Sequence, residues 1–474
     1  MIIYGVADAS HDSSLSVIKD GEILFAAHSE RYSKVKNDWF LNKDIVEEAL
    51  SYGIPKAVAY YEKPIIKKSR IILGGGNRQL SSNFRDLIPV NGPVINVSHH
   101  RSHASAGYYT SKFDDAVIVV LDAIGEWDTS SIWVGENKSL KKVYSNRYPY
   151  SFGLFYSAFT QLLGLEPNKE EYILMGMAGY GDPYKFFERV TSYFPRLGHQ
   201  RYGFHKGIVD WELLGGEQEK FDIAASVQKV FELRVLEFMA LAKKKTGKRN
   251  LVYMGGCALN ALANTKVREL FDDVWIMPNP GDAGSSLGAA LSVYGSHANW
   301  VGPYLGHRIE KPYEIDKTLN ELLSYGVSEF VGGRAEFGPR ALGNRSLLAD
   351  PRDESIKDKV NLIKKRELFR PFAPVVLEEF ANEWFEMDFA SPYMQYIVKA
   401  KKPELVPSVI HVDGTARVQT VNGSQHPELH KLLLMWYKKT GVPVLLNTSL
   451  NIKNQPILND KNDLEIWKNL YRPA

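Results

Sequence analysis

Residues 2–27 read IIYGVADASHDSSLSVIKDGEILFAA, and residues 116–145 read AVIVVLDAIGEWDTSSIWVGENKSLKKVYS. Each begins with a short apolar, β-branched run and a polar turn. Two further runs follow, joined by a turn: Asp20-Gly21-Glu22 in the first stretch, Gly135-Glu136-Asn137 in the second. This pattern predicts a strand, a turn and a β-hairpin. Both first runs end in an aspartate (Asp8, Asp122), and both second runs open on a Ser-Ser pair. The expectation is a duplicated β-hairpin unit.

Outward from these units the chain alternates helices and strands. SFGLFYSAFTQLLGL (151–165) has apolar residues at helical spacing. Residues 221–248 predict a long amphipathic helix that closes on Lys243–Lys245 and Gly247, cations and a glycine suiting a helix C-terminus. LVYMGG (251–256) reads as a strand entering a Gly-rich turn, and residues 274–295 as strand, Gly-rich turn and helix. Alternation of this kind is the mark of an α/β layer fold. Gly, Pro and charge gather in HANWVGPYLGHRIEKPYEI (297–315), which predicts a domain boundary. The remainder has its own strands in PVVLEEF, RVQTV and VPVLLN and predicts a smaller α/β domain.

The chain has 474 residues, too many for one ordinary core. Its 44% hydrophobic and 24% charged residues are those of a soluble globular protein. Lys+Arg 58 against Asp+Glu 55 leaves a net charge of +3, which does not mark a nucleic-acid binder but leaves room for a local basic groove. With Cys257 as its sole cysteine the chain cannot form an internal disulfide, so a reducing, cytoplasmic setting is expected. The opening MIIYGVADAS carries Asp8 and no basic lead, so it does not read as a secretion signal. No stretch approaches the roughly 18 apolar residues of a membrane span, so no membrane partner is expected.

Three constellations point to chemistry. In VSHHRSHASAGYY (97–109), His99 and His103 share one helical face, so two imidazoles can meet one metal ion. Asp122 and Asp282 are carboxylates that could complete the site, and the donor set suits a divalent metal or iron. Two Gly-rich turns, Gly255-Gly256 and Gly281-Asp282-Ala283-Gly284, could let a phosphate approach backbone amides, although neither matches a P-loop or GxGxxG. The late chain is rich in cations: Arg334, Arg340, Arg345 and Arg352 in residues 332–352, then Lys364, Lys365, Arg366 and Arg370 in residues 361–374. Aromatic and leucine residues interleave them, which favours a buried polyanion site over a solvated face. Arg417 and the Asn447, Thr448, Ser449, Asn451 cluster follow strands and could add ligand contacts. Cys257, in its glycine turn, reads as a packing residue.

The segments GVADASHDSS, HHRSHA, LDAIGEWDT, FGLFYSAFTQLLG, EEYILMGMAGYG, GGCALN, GDAGSSLGAAL, GRAEFGPRALGNRSLLADPR, NLIKKRELFRPFAP, ARVQTV and LLNTSLN occur in order along nearly the whole chain. In them the chain resembles the O-carbamoyltransferase family of nodulation, tobramycin and cephamycin carbamoyltransferases. GPRALGNRS followed by FRPFAP is the most specific part. The resemblance implies a domain over residues 1–305 of the actin/Hsp70/sugar-kinase type, like the tRNA-threonylcarbamoyl transferase domain. Over residues 306–474 it implies an α/β domain like threonylcarbamoyl-adenylate synthase (YrdC-like). The second domain would make carbamoyl-adenylate from carbamoyl phosphate and ATP, with Mg2+ accompanying ATP; the first would pass the carbamoyl group to an acceptor hydroxyl.

The same resemblance implies individual roles. His99, His103, Asp122 and Asp282 would hold the metal. Arg340, Arg345, Lys364, Arg366, Arg417, Asn447 and Ser449 would bind nucleotide and carbamoyl phosphate. Gly255, Gly256 and Asn260 would bind the adenylate at the transfer site, and His11 or Asp12 would take the acceptor proton. Ile173 stands where many members carry lysine. The acceptor stays open: a sugar, a cephem hydroxymethyl group, or a hydroxymethylated pyrimidine, free or in nucleic acid. The rival readings are a sugar-kinase-like phosphotransferase and a nucleotide-binding regulatory module. Oligomeric state is not legible.

Overall fold

In a computed structural model of the chain, residues 1–9, 11–73, 81–201 and 203–471 are described. The first hairpin unit forms as expected. β1 (Ile2–Ala7) pairs antiparallel with β2 (Ser14–Lys19), and Asp20 and Gly21, both at positive φ, turn the chain into β3 (Glu22–His28). Such a two-residue turn matches the right-handed twist of its strands. β4 (Ala57–Tyr60) and β5 (Val94–Asn96) then add in parallel, giving the order β3-β2-β1-β4-β5.

The second unit repeats this plan. β6 (Asp115–Gly125), β7 (Asp128–Glu136) and β8 (Ser139–Arg147) are antiparallel, and β9 (Asn250–Met254) and β10 (Asp273–Trp275) add in parallel. The order β8-β7-β6-β9-β10 is that of the first sheet strand for strand. The duplication therefore reaches beyond the hairpins to the crossover strands, and the fold of this unit is an internally duplicated α/β one. One local expectation is corrected. AIGEWDT is not one long polar turn, because β6 continues through an irregularity between Leu121 and Gly125 and only Glu126 and Trp127 make the turn. Glu126 takes the left-handed conformation needed there.

Each half sends a helix inward after its last strand: His99–Thr110 after β5, Ser285–Tyr294 after β10. These helices pack with their backbones close. A Cβ on Gly288 would collide with the Ser102 carbonyl oxygen, and one on Gly5 with that of Ser286. Glycine is thus required at both contacts. The Phe152–Leu162 and Gly216–Thr246 helices form as expected, the second closing on Gly247 at φ 68°. Among the described residues no helix is long and apolar enough to cross a membrane.

These elements belong to a unit comprising Met1–Ser10, Ser14–Leu24 and Tyr52–Trp300. A second unit comprises His11–Ser13, Phe25–Ser51 and Val301–Ala474. It contains a two-stranded sheet of β11 (Tyr304–Ile309) and β13 (Gly333–Glu336). Its six-stranded sheet is built from β12 (Val327–Val331), β14 (Arg345–Ala349), β15 (Ala373–Leu377), β16 (Tyr396–Lys399), β17 (Thr415–Val421) and β18 (Val444–Ser449). The order is β12-β14-β18-β15-β17-β16. Alternation along the strands divides its core in two. Val375 and Leu445 join Leu322, Leu432 and Trp436 on one face, while Val376, Val444 and Leu446 join Trp384 and Trp467 on the other.

Candidate metal centre and anion site

The inward helices of the two halves bring the first constellation together. His99 and His103 lie one turn apart at the start of their helix, Asp122 sits within β6, and Asp282 opens the turn preceding Ser285. His99 Nε2 is 3.0 Å from Asp122 Oδ2 and 3.3 Å from Asp282 Oδ1; His103 Nε2 is 3.7 Å and 3.3 Å from the same atoms. The two Nε2 atoms are 3.0 Å apart. One ligand atom from each of the four residues lies within 4.8 Å of all the others.

Donors about 2.1 Å from a tetrahedral ion stand about 3.4 Å apart, the scale seen here. Both ring nitrogens also turn towards each other. His103 Nδ1 lies 3.1 Å from the Pro280 carbonyl oxygen, an acceptor only, so Nδ1 carries the proton and the Nε2 lone pair faces the cluster. The donor set fits a divalent metal or iron.

The surroundings hold these groups in place. A Cβ on Gly125 would strike the rings of His99 and His100. The Gly256 amide donates to Asp122 Oδ1 at 3.3 Å, the other oxygen being the one near His99. Burial disfavours charge on His99, but Asp282 and Asp122 outweigh it and hold the imidazole pKa well above its ordinary value. Asp122 is raised by burial and by Asp282, yet the two histidines bring it down to about 2. His100, the third histidine of the run, bonds Ser131 Oγ at 2.7 Å and stays outside the cluster.

Other sequence candidates of this unit have different surroundings. Asn260 Oδ1 accepts from Gln228 and from the Ala263 amide, and its Nδ2 donates back to Gln228, so the side chain caps a helix. Gly255, at φ 91°, packs against the Leu121 carbonyl, and Gly256 is exposed. Burial pushes the Cys257 thiol well up, consistent with a packing residue. Ile173 is buried at 4% exposure.

His11 and Asp12 belong to the second unit. His11 Nδ1 is 2.7 Å from Asp12 Oδ2, and Asn37 donates to Asp12 Oδ1 at 2.9 Å. Burial raises the Asp12 pKa, but His11 and Asn37 together lower it below its ordinary value, keeping it a carboxylate.

The late cations separate into two groups. Arg345 is fully buried and donates to the carbonyls of Asn459, Gly332, Gly333, Asn344 and His307, so its guanidinium is satisfied by backbone. Arg334 donates to Leu305 and Gly306, and Arg352 forks onto Asp350. The second group is Arg340, Lys364, Arg366, Arg370 and Arg417. Burial, then Arg340 and Arg366, depress Arg417 well below its ordinary pKa. Burial, then Arg366 and Arg370, do the same to Lys364.

Lys364 Nζ reaches Ser449 and Asn451, including Asn451 Oδ1 at 3.0 Å. Arg366 donates to Asn361 Oδ1 at 2.7 Å and lies over the Phe372 ring. Asn447 donates to Gln419 and to the Ala341 carbonyl. Arg417 Nε is buried without a hydrogen-bond partner. Sequence reasoning missed Glu336, Asn361 and Gln419. Glu336 alone had a signal, as the one carboxylate within GGRAEFGPRALGNRS.

Two family profiles match the chain: Carbamoyltransferase N-terminus over residues 59–291, and Carbamoyltransferase C-terminus over residues 320–468. An uncharacterized protein of Synechocystis sp. is 32% identical, over 96% of this chain and 92% of its own length. Nodulation protein NolNO of Sinorhizobium fredii is 31% identical over 96% and 76%. The 3'-hydroxymethylcephem-O-carbamoyltransferase of Amycolatopsis lactamdurans is 30% identical over 96% and 94%.

Proposed function

The chain belongs to the carbamoyltransferase family, and from that premise we propose that it is an ATP-dependent O-carbamoyltransferase working through carbamoyl-adenylate. Carbamoyl phosphate, ATP and water give carbamoyl-adenylate, pyrophosphate and phosphate. The acceptor oxygen then attacks the carbamoyl carbon, AMP leaves, and a base takes the hydroxyl proton. Adenylation is needed because a carbamate carbonyl is resonance-stabilised and has a poor leaving group.

The observation that carries this reading is the crowd of cations formed by Arg340, Lys364, Arg366, Arg370 and Arg417. Two of them, Lys364 and Arg417, are held below their ordinary pKa by burial and by the charge of neighbouring arginines. A triphosphate entering there would relieve that repulsion and be held by forked, charge-assisted bonds. We assign Lys364, Arg366 and Arg417 to the phosphates, with Arg340 beside them. Ser449 and Asn447 position Lys364 and Gln419, and Arg345 braces the backbone around the site. The second unit would thus be the YrdC-like, adenylate-forming one, served by Mg2+ with ATP, and residues 1–305 would supply most of the transfer site.

There His99, His103, Asp122 and Asp282 would hold a divalent ion or iron, which when bound would supply a Lewis acid for a phosphate oxygen. Gly255, Gly256 and Asn260 would line the adenylate. His11 or Asp12, paired through His11 Nδ1, would take the acceptor proton. The cephem relative acts on a hydroxymethyl group, as its name says. For this chain we carry over only an alcohol acceptor, with sugars, antibiotics, and hydroxymethyl-pyrimidine nucleotides or DNA as candidates.

The test is mass spectrometry for a carbamoyl increment across that acceptor panel, with the nucleotide product identified. A carbamoylated alcohol with AMP is expected. ADP release would turn the reading to a phosphotransferase. Arg366→Ala is expected to abolish carbamoyl-phosphate-dependent ATP–pyrophosphate exchange, and unaltered exchange would reject the cation site.

A further inference from the structure

The loop that carries Arg340 is held from within by a carboxylate. Glu336 Oε1 accepts from the amides of Leu342 (2.8 Å), Asn344 (2.8 Å) and Arg345 (3.2 Å). Ser346 Oγ accepts from Gly343, so every amide from 342 to 345 has a partner. Gln419 and Asn447 donate to the carbonyls of Leu342 and Ala341 at 3.0 and 3.2 Å. Arg340 is the partly exposed cation of this loop, within electrostatic range of Arg417.

The other oxygen of Glu336 faces a charge from far away in sequence. Arg31 Nη1 lies 3.9 Å from Glu336 Oε2, and both side chains are essentially buried. Neither of those two atoms has a hydrogen-bond partner. Arg31 Nη2 donates to the Gly338 carbonyl at 3.1 Å. Three residues before Arg31, the chain also meets the loop side: His28 stacks edge-on against Phe337 at 5.4 Å. Arg31 thus grips both ends of the turn that leads into Arg340. Its segment, residues 25–51, also seats the His11–Asp12 pair. Glu30 accepts from the Asn37 amide at 2.9 Å, and Asn37 donates to Asp12.

A buried ion pair at this separation returns little net stability, because desolvating both charges offsets their attraction. What it does supply is a fixed position for each partner. We propose that Arg31, acting through Glu336 and the Gly338 carbonyl, is a positioning residue for adenylate formation: it fixes the 337–345 loop so that Arg340 joins Arg366 and Arg417 around the polyanion. This rests on the adenylate-forming reading above.

The test is carbamoyl-phosphate-dependent ATP–pyrophosphate exchange with the full-length enzyme and its Arg31→Met, Glu336→Gln, Arg340→Ala and Arg31→Met/Arg340→Ala variants. Arg31→Met is expected to raise the KM for ATP and slow exchange by about ten-fold. The double variant is expected to be little slower than Arg340→Ala, because both changes remove one contribution. Losses that multiply would overturn the proposal. So would a lowered urea midpoint with unchanged exchange, the mark of a merely structural residue. Should Arg31→Met not fold, Glu336→Gln carries the test, since it keeps an oxygen for the three amides and removes only the charge. It too is expected to raise the KM, and normal exchange would overturn the proposal. Normal exchange by Arg340→Ala would overturn the adenylation reading itself, whereas a slow Arg340→Ala beside a normal Arg31→Met overturns only the positioning role.

Discussion

His28 shows how much one buried imidazole can weigh on this chain. Burial, only partly countered by Glu30 and Asp12 and reinforced by Arg31 and Lys36, brings its pKa down to about 4. The unfolded ring takes its proton near 6.5. Stability from the neutral ring is therefore complete above pH 6.5 and is lost as pH falls towards 4. The loss amounts to about 2 kcal/mol between roughly pH 7.5 and pH 5. Urea midpoints of the wild type and His28→Gln across that range check this, and the variant is expected to have the shallower acid limb. At the same scale, the clustering of His99 and His103 was legible because i and i+4 share a helical face. Glu336 was missed: it stood out as the one carboxylate of its motif, but a carboxylate that folds back onto the amides of its own loop leaves no periodic trace of that role.

Among the elements, the two inward helices show the tightest constraint. The missing Cβ of Gly288 lets the Ser285–Tyr294 helix rest on the Ser102 carbonyl, and the same two helices carry or abut His103 and Asp282. Gly288→Ala is expected to cost about 1–3 kcal/mol and to lower the metal content of purified protein. Urea unfolding and metal analysis read the two effects, and full metal content in a destabilised variant would separate packing from ligation. Strands were readable from their β-branched runs and the first hairpin turn from Asp-Gly, whereas the second turn lies one residue past its expected place, at Asn137 and Lys138, because Gly135 and Glu136 stay in β7. AIGEWDT misled because Ala123, Ile124 and Gly125 stay in β6 through an irregular register, which polarity alone does not report. The repeat of strand order became visible only with pairing in hand, since β4, β5, β9 and β10 are short and their partners distant in sequence.

For the molecule as a whole, the His/Asp cluster and the cation crowd belong to different units. His99, His103, Asp122 and Asp282 are in the first, and Arg340, Lys364, Arg366, Arg370 and Arg417 in the second. On the carbamoyl-adenylate mechanism proposed above, the two half-reactions should therefore separate. Protein stripped with a chelator, desalted and assayed in magnesium alone is expected to exchange pyrophosphate at its original rate yet fail to carbamoylate until a transition metal is restored. Full transfer by protein shown metal-free by elemental analysis would remove the ion from the chemistry. The sequence motifs covered both units, but they could not show that residues 25–51 leave one for the other. Arg31 and His28 meet partners some 300 positions away, as their contacts with Gly338 and Phe337 show.

That excursion has a bearing on recombination. A chimaera of two relatives spliced near Trp300 would draw Arg31 from one parent and Glu336 from the other. Unless both parents match at these positions, a lone charge is left in a dry interior. Swapping acceptor preference between such enzymes by cassette therefore calls for transplanting three separate stretches of gene together, the two early ones travelling with the late half.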